Sequence, residues 1–195
     1  MMTYFQALIK TISESVHSID TKTFQVLLDD ICLTLKNGHK VVVSGLGKNV
    51  PICDKYVGTM LSLGLEAAFM HTNTAVHGDL GMVHDGDLVI ILSKSGETME
   101  SVYLIQELKK RDICLWSITF NQNSTVSKST HKSLILSIDH EGDDWNIVPN
   151  NSTTMYLIVL QALAIETGRA MGVTLEDFRK NHPGGHIGVQ LNGSK

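Results

Sequence analysis

Five short runs of apolar, largely β-branched residues recur along the chain, several of them apolar at nearly every position. They are Lys40–Gly45 (KVVVSG), Leu65–His71 (LEAAFMH), Asp87–Ser93 (DLVIILS), Ile113–Phe120 (ICLWSITF) and Ser133–Asp139 (SLILSID). A half-solvated strand alternates apolar and polar residues, whereas a strand apolar throughout is covered on both faces. Between these runs, Val50–Gly64 and Thr98–Arg111 have helical length and spacing, and Ser124–His131 has room for a short helix. Such alternation predicts parallel strands, right-handed crossovers and helices on both faces. The expected fold is α/β: a three-layer α-β-α sandwich around a five-stranded parallel sheet of flavodoxin or Rossmann type.

The flanking segments are helical. Thr3–Leu35 predicts two helices broken near Asp20–Thr21, where Asp or Thr can cap the second. A long helix starts in the Asn151–Ser152 region. Its apolar residues (Met155, Leu157, Ile158, Val159, Leu160, Ala162, Leu163, Ala164 and Ile165) go nearly all the way round. A helix of that kind belongs inside a domain or between subunits, so a homo-oligomer is expected. No repeat, linker or composition break divides residues 1–195, which are read as one domain.

Hydrophobic content of 43% with 18% charged residues suits a folded, soluble chain. A net charge of -4 weighs against an extended nucleic-acid face. Cys32, Cys53 and Cys114 form no CxxC pair and fit free thiols in a reducing compartment. The N-terminal stretch lacks the apolar core of a signal peptide, and no segment reaches the ~18 apolar residues of a membrane span. A cytoplasmic protein without membrane or nucleic-acid partners is expected.

Ligands of an open parallel sheet bind outside the carboxyl ends of its strands. The residues there are SGLGKN after the first run, HTNTAVHGDLG after the second, SKSGET at the end of the third and HEGDDWNIVPNNSTT after the fifth. In the third, a helix starting near Thr98 leaves its first N–H groups unpaired and its dipole favours an anion. Gly96 allows close backbone approach, and Ser93, Ser95 and Thr98 can donate hydroxyl hydrogen bonds. The same residues also fit a plain capping box. GLGKN is not a Walker A loop, and the GxGxxV pattern lacks the third glycine of a dinucleotide fingerprint.

SKSGET after an apolar strand resembles the phosphosugar loop of the sugar isomerase (SIS) domain family. VVVSGLGKN (Val41–Asn49), AVHGDLGMV (Ala75–Val83) and FRKNHPGGHIG (Phe178–Gly188) narrow the resemblance to D-arabinose 5-phosphate isomerases of the form lacking CBS modules. The resemblance implies one SIS domain, usually tetrameric, with sites that draw residues from neighbouring subunits. Relatives that continue into CBS modules carry regulation expected to be absent here.

Aldose–ketose isomerisation needs a base to move a proton between adjacent carbons and a group to stabilise the enediolate oxygen. The resemblance implies Lys48, Glu97, Glu141 and His182 as the catalytic set. It also implies substrate contacts from Ser44, Gly45, His77, Gly78, Asp79, Ser93, Ser95, Gly96, Thr98, Ser152 and Thr153. Lys48 suits the substrate oxygens, the His182 imidazole suits ring opening or proton transfer, and Glu97 in a first helical turn would be held ionised. Relatives can bind an inhibitory divalent metal near histidines such as His71 and His77. Enediol chemistry itself requires neither metal nor cofactor, and none is assigned.

The chain departs from the family pattern at Asn49, Val50 and Pro51, with Pro51 expected at a helix N1 position, at Lys94 inside the phosphate loop, and at Asp143 and Asp144 after Glu141. The extra lysine either strengthens phosphate affinity or points to solvent. The acids either alter sugar preference or decorate a loop. The function implied is interconversion of D-ribulose 5-phosphate and D-arabinose 5-phosphate for Kdo biosynthesis. The alternatives are isomerisation of another phosphosugar and a non-catalytic phosphosugar-binding regulatory module. No helix-turn-helix segment precedes Thr3, which favours the enzyme.

Overall fold

A computed structural model describes residues 3–192, with only the backbone of Asn192. Two helices come first, α1 (Tyr4–His17) and α2 (Thr21–Lys36). Asp20 caps α2 by accepting the Lys22 N–H at 3.0 Å, as its position in the sequence suggests. The alternating core follows: β1 (Val41–Gly45), α3 (Val50–Ser62), β2 (Ala67–His71), α4 (Thr72–Ala75), β3 (Leu88–Ser93), α5 (Met99–Leu108), β4 (Cys114–Thr119), α6 (Thr125–Ser129) and β5 (Lys132–Ile135). After a loop come α7 (Asn151–Ala170), α8 (Leu175–Lys180) and α9 (Gly185–Asn192). Pro51 occupies the second helical position of α3, one later than expected.

All strand pairs are parallel and the sheet order is β2-β1-β3-β4-β5. The apolar strands divide their residues between two cores. Val41, Val43, Leu88, Ile90, Leu92, Trp116 and Ile118 face α2, α3 and α7. Val42, Val89, Ile91 and Leu115 face α5 and Val126 of α6. Period-two alternation with burial on both sides explains why these strands show no polar face. The expected three-layer sandwich is the observed one. Strand ends shift: β5 stops at Ile135, and after a last bond from the Leu136 N–H to the Thr119 carbonyl at 2.8 Å the chain begins the loop toward α7.

The apolar circumference of α7 is met largely within the chain. Met155, Val159, Leu160, Leu163 and Ala164 are buried against α3, α1 and α2, and Leu157 and Ile165 remain exposed. Exposed apolar residues gather elsewhere, at Tyr4, Phe5 and Ile9 of α1 and at Trp145, Ile147 and Val148 in the loop before α7.

The sheet's amino end is anchored by Asp87, only 1% exposed. It accepts the Lys40 N–H at 3.1 Å, the Lys40 Nζ at 2.6 Å and the His84 N–H at 2.8 Å. Burial alone would raise its pKa, but the hydrogen bonds from His84 and Lys40 outweigh it and hold the carboxylate below its ordinary value. A depressed folded pKa gives stability that is present above the unfolded value, near ~3.9, and is lost as pH falls through the folded one. Asp87→Asn is expected to lower unfolding free energy by roughly 2 kcal/mol at pH 7 in urea titration. The deficit should be constant from about pH 5 to 8 and shrink below about pH 4.

Candidate active site

The chain leaves β1 toward β2 through α3, packed on one face of the sheet, and leaves β3 toward β4 through α5 on the other. The loops after these neighbouring strands therefore part, and a crevice opens between them, the switch point at which open α/β sheets bind ligands. A cavity of about 340 Å³ occupies it. Its walls are Leu46, Gly47, Lys48 and Asn49 after β1, Leu92 to Ser95 with Thr98 and Ser101 around the β3–α5 joint, and Pro149, Ser152 and Thr153 at the start of α7.

The β3–α5 loop is shaped by its own hydroxyls. Ser93 Oγ accepts the Gly96 N–H at 3.1 Å and lies 3.3 Å from Thr98 Oγ1, while Ser95 Oγ accepts the Glu97 N–H at 3.2 Å. Thr98 is the N-cap of α5 without a side-chain capping bond, which leaves its hydroxyl to Ser93 and the cavity. Gly96 has φ +67°, and a Cβ there would lie 2.1 Å from Ser124 Oγ. Its role is thus to turn the loop against the cap of α6 rather than to face the cavity.

Glu141 is the chemical centre of the far wall. It is 0% exposed yet ionised. Oε1 accepts from the Ser152 hydroxyl at 2.5 Å and from Lys94 Nζ, and Oε2 accepts the N–H groups of Asn150 at 3.0 Å and Ser152 at 2.9 Å. Those N–H groups are the N-cap Asn150 of α7, which makes no side-chain capping bond of its own, and Ser152 in its first turn. A carboxylate from upstream therefore caps the helix through space, with the dipole favouring its charge. Burial opposes ionisation, and the hydrogen bonds from Lys94, Ser152 and Asn150 more than offset it. Lys94 thus neither points only to solvent nor stands free for an anion. It lines the cavity while paired to Glu141, its side chain 41% exposed.

The remaining expected residues separate into groups. Lys48, Ser93, Ser95, Thr98, Ser152 and Thr153 line the cavity. Ser44 is buried beneath it, bonded to the Thr72 hydroxyl at 3.0 Å, and Gly45 admits α3, since a Cβ would meet Asn49 Cβ at 2.9 Å. His77, Gly78 and Asp79 lie off the cavity; Asp79 is bonded to the Thr74 hydroxyl, and His71 accepts the Asn73 N–H at 3.2 Å. Glu97 stands outside the cavity too. It precedes the cap of α5 rather than sitting in its first turn, and it accepts the Thr125 N–H at 2.9 Å at the start of α6. Bonding to Thr125 holds its pKa low, the direction expected from the sequence but through a different helix.

His182 lies far away. Its ring stacks on Phe178 with centroids 4.0 Å apart, and Nδ1 is 2.7 Å from the Phe178 carbonyl. The adjacent Asn181 bonds the Ser62 carbonyl at the end of α3, whose beginning holds the Lys48 loop. That helix is roughly 20 Å long, so one chain does not bring His182 to the cavity. Nothing in the sequence marked Ser101 and Pro149 as wall residues; both lie near in space only because α5 and α7 start at the same crevice. Asp143 proves to be a loop organiser, accepting the N–H groups of Trp145, Ile147 and Val148 at 3.0, 3.1 and 3.0 Å.

A doubly wound α/β domain with a hydroxyl-rich crevice at its switch point is the class this geometry defines. The SIS domain family matches residues 34–166, and the chain belongs to it. It is 40% identical over 159 residues to arabinose 5-phosphate isomerase KdsD of Pseudomonas aeruginosa, a match covering 82% of this chain and 49% of that protein. KdsD of Francisella tularensis is 33% identical over 187 residues, 96% of this chain and 57% of the relative. The chain thus spans about half the length of the curated relatives it matches. The solved structure of E. coli CFT073 c3406 in complex with arabinose 5-phosphate matches 92% of this chain and 94% of its own, at 33% identity and a TM-score of 0.86.

Removing Lys94 should leave Glu141 buried and short of a donor. Lys94→Met is expected to cost roughly 1–2 kcal/mol at pH 7, less than a fully buried pair because the ammonium reaches solvent. Glu141's depressed pKa makes its contribution present above the unfolded value and lost as pH falls through the folded one, so the deficit should narrow toward pH 3. Lys48→Met, at an exposed position, should leave stability unchanged. Denaturation of both variants at the two pH values checks this.

Proposed function

We propose that the chain is an aldose–ketose isomerase interconverting D-ribulose 5-phosphate and D-arabinose 5-phosphate. The observation that carries the reading is the crevice itself. Lys48 and the hydroxyls of Ser93, Ser95 and Thr98 share one cavity at the switch point, in a chain similar across nearly its whole length to a structure solved with arabinose 5-phosphate.

In this reading the phosphate rests at the β3–α5 joint, where helix N–H groups and hydroxyls favour an anion. Lys48, from the opposite wall, stabilises the enediolate oxygen as a proton moves between C1 and C2. Glu141 already receives four hydrogen bonds and its pKa is depressed, so it is a poor base. It acts by positioning Lys94, Ser152 and the start of α7. Proton transfer or ring opening falls to His182 from a second copy, as the resemblance implies, and the exposed Glu97 carboxylate lies at the edge of a site shared between copies. The apolar surface of α1 and of Trp145, Ile147 and Val148 supports a homo-oligomer, taken as the tetramer usual in the family. The product would serve synthesis of the octulosonate Kdo for lipopolysaccharide or capsule in the cytoplasm.

Purified protein given a panel of ketose and aldose 5- and 6-phosphates should turn over ribulose 5-phosphate. No turnover of any of them would remove the enzyme reading. Turnover of another phosphosugar alone would replace the substrate.

Lys48→Ala and His182→Ala should each lower kcat by roughly 100-fold or more. If the site is shared, refolding the two variants together should restore about a quarter of the wild-type activity, because half the dimers are hybrids with one intact site. No recovery on co-refolding would place both residues in one subunit, and an undiminished kcat in His182→Ala alone would put His182 outside the mechanism.

A further inference from the structure

Ser101 is 1% exposed, lines the cavity, and its hydroxyl has no hydrogen-bond partner among the described residues. A buried hydroxyl left unpaired is unfavourable, and such groups in folded proteins call for a reason. The serine is the third residue of α5, a helix of 10 residues. Cα–Cβ bonds in a helix tilt toward its amino end, so this side chain leans back toward Ser95 and Thr98. It does not bond back to the Thr98 carbonyl three residues earlier, as Thr153 at the same position of α7 bonds the Asn150 carbonyl at 2.8 Å. The hydroxyl is thus held in the cavity wall, beside the free N–H groups that make a helix start an anion site.

We propose that Ser101 is a further ligand of the substrate phosphate, donating from the second layer of the α5 amino terminus beneath Ser95 and Thr98. This rests on the phosphosugar reading above and deepens it. Ser93, Ser95 and Thr98 each already have a hydrogen-bond partner within the loop, whereas the Ser101 hydroxyl has none among the described residues. A phosphate monoester oxygen would complete it with a charge-assisted bond.

The test compares wild type with Ser101→Ala, using inorganic phosphate and ribulose 5-phosphate as probes. Deleting an unpartnered buried hydroxyl and placing alanine in a helix should leave Tm without ligand unchanged or slightly raised. Phosphate affinity, read by calorimetry and by the shift of Tm with phosphate concentration, should weaken roughly 10-fold or more. KM for ribulose 5-phosphate should rise by a similar factor with kcat nearly constant, because the phosphate is remote from C1 and C2 and its binding is uniform along the reaction. Equal phosphate affinity in the two proteins would show that the hydroxyl serves only ordered water, and would overturn the assignment while leaving the isomerase reading intact. A lowered Tm with unchanged affinity would make Ser101 structural. If wild type itself bound no phosphorylated ligand, the phosphosugar reading would fall, and this inference with it.

Discussion

The carboxylate of Glu141 is the point on which the crevice depends. A charge wholly removed from water persists only where donors replace its hydration, and here two backbone N–H groups, a hydroxyl and an ammonium do so. The same bonds satisfy the open end of the 20-residue helix α7, the central element of one helical layer. They also draw the β3–α5 loop, through Lys94, against the start of α7. Three segments distant in the sequence thus meet at one ionised group.

The loop that supplies Glu141 is organised for that purpose. Its N–H donates to Asn146 Oδ1 at 2.8 Å, and Asn146 adopts φ +55°, a conformation that asparagine tolerates better than most residues. Asp143 gathers three further N–H groups of the same loop. Of the two acids that the sequence leaves open as either a change in sugar preference or loop decoration, Asp143 organises the loop and Asp144 is exposed. The bonds that saturate Glu141 suit a group that positions its neighbours.

Element types were readable because burial on both faces leaves a direct mark on composition: strands such as LVIILS in β3 have no polar face to hide. Strand ends were less readable, as β5 shows, because Leu136 and Ile138 remain apolar after the ladder has ended and pack on the core from a loop. The cavity residues on the β3–α5 loop were readable because a helix start needs particular chemistry in a short window. Lys94 was legible as a cation but not as a partner of Glu141, which lies 47 residues later.

The parallel α/β sheet, the helices on both its faces and the hydroxyl-rich joint after β3 were legible in the residues alone, whereas the strand order was not. These follow from local periodicity and from the short-range demands of turns and helix ends. Packing in three dimensions settled which of those residues share a space. It buried Ser44 against Thr72, bonded Glu97 to the start of α6 and set His182 at the far end of α3, and it brought Ser101 and Pro149 to the wall. The reason is physical: local sequence sets dihedral angles and faces, whereas the meeting of two loops depends on how the whole sheet twists and packs.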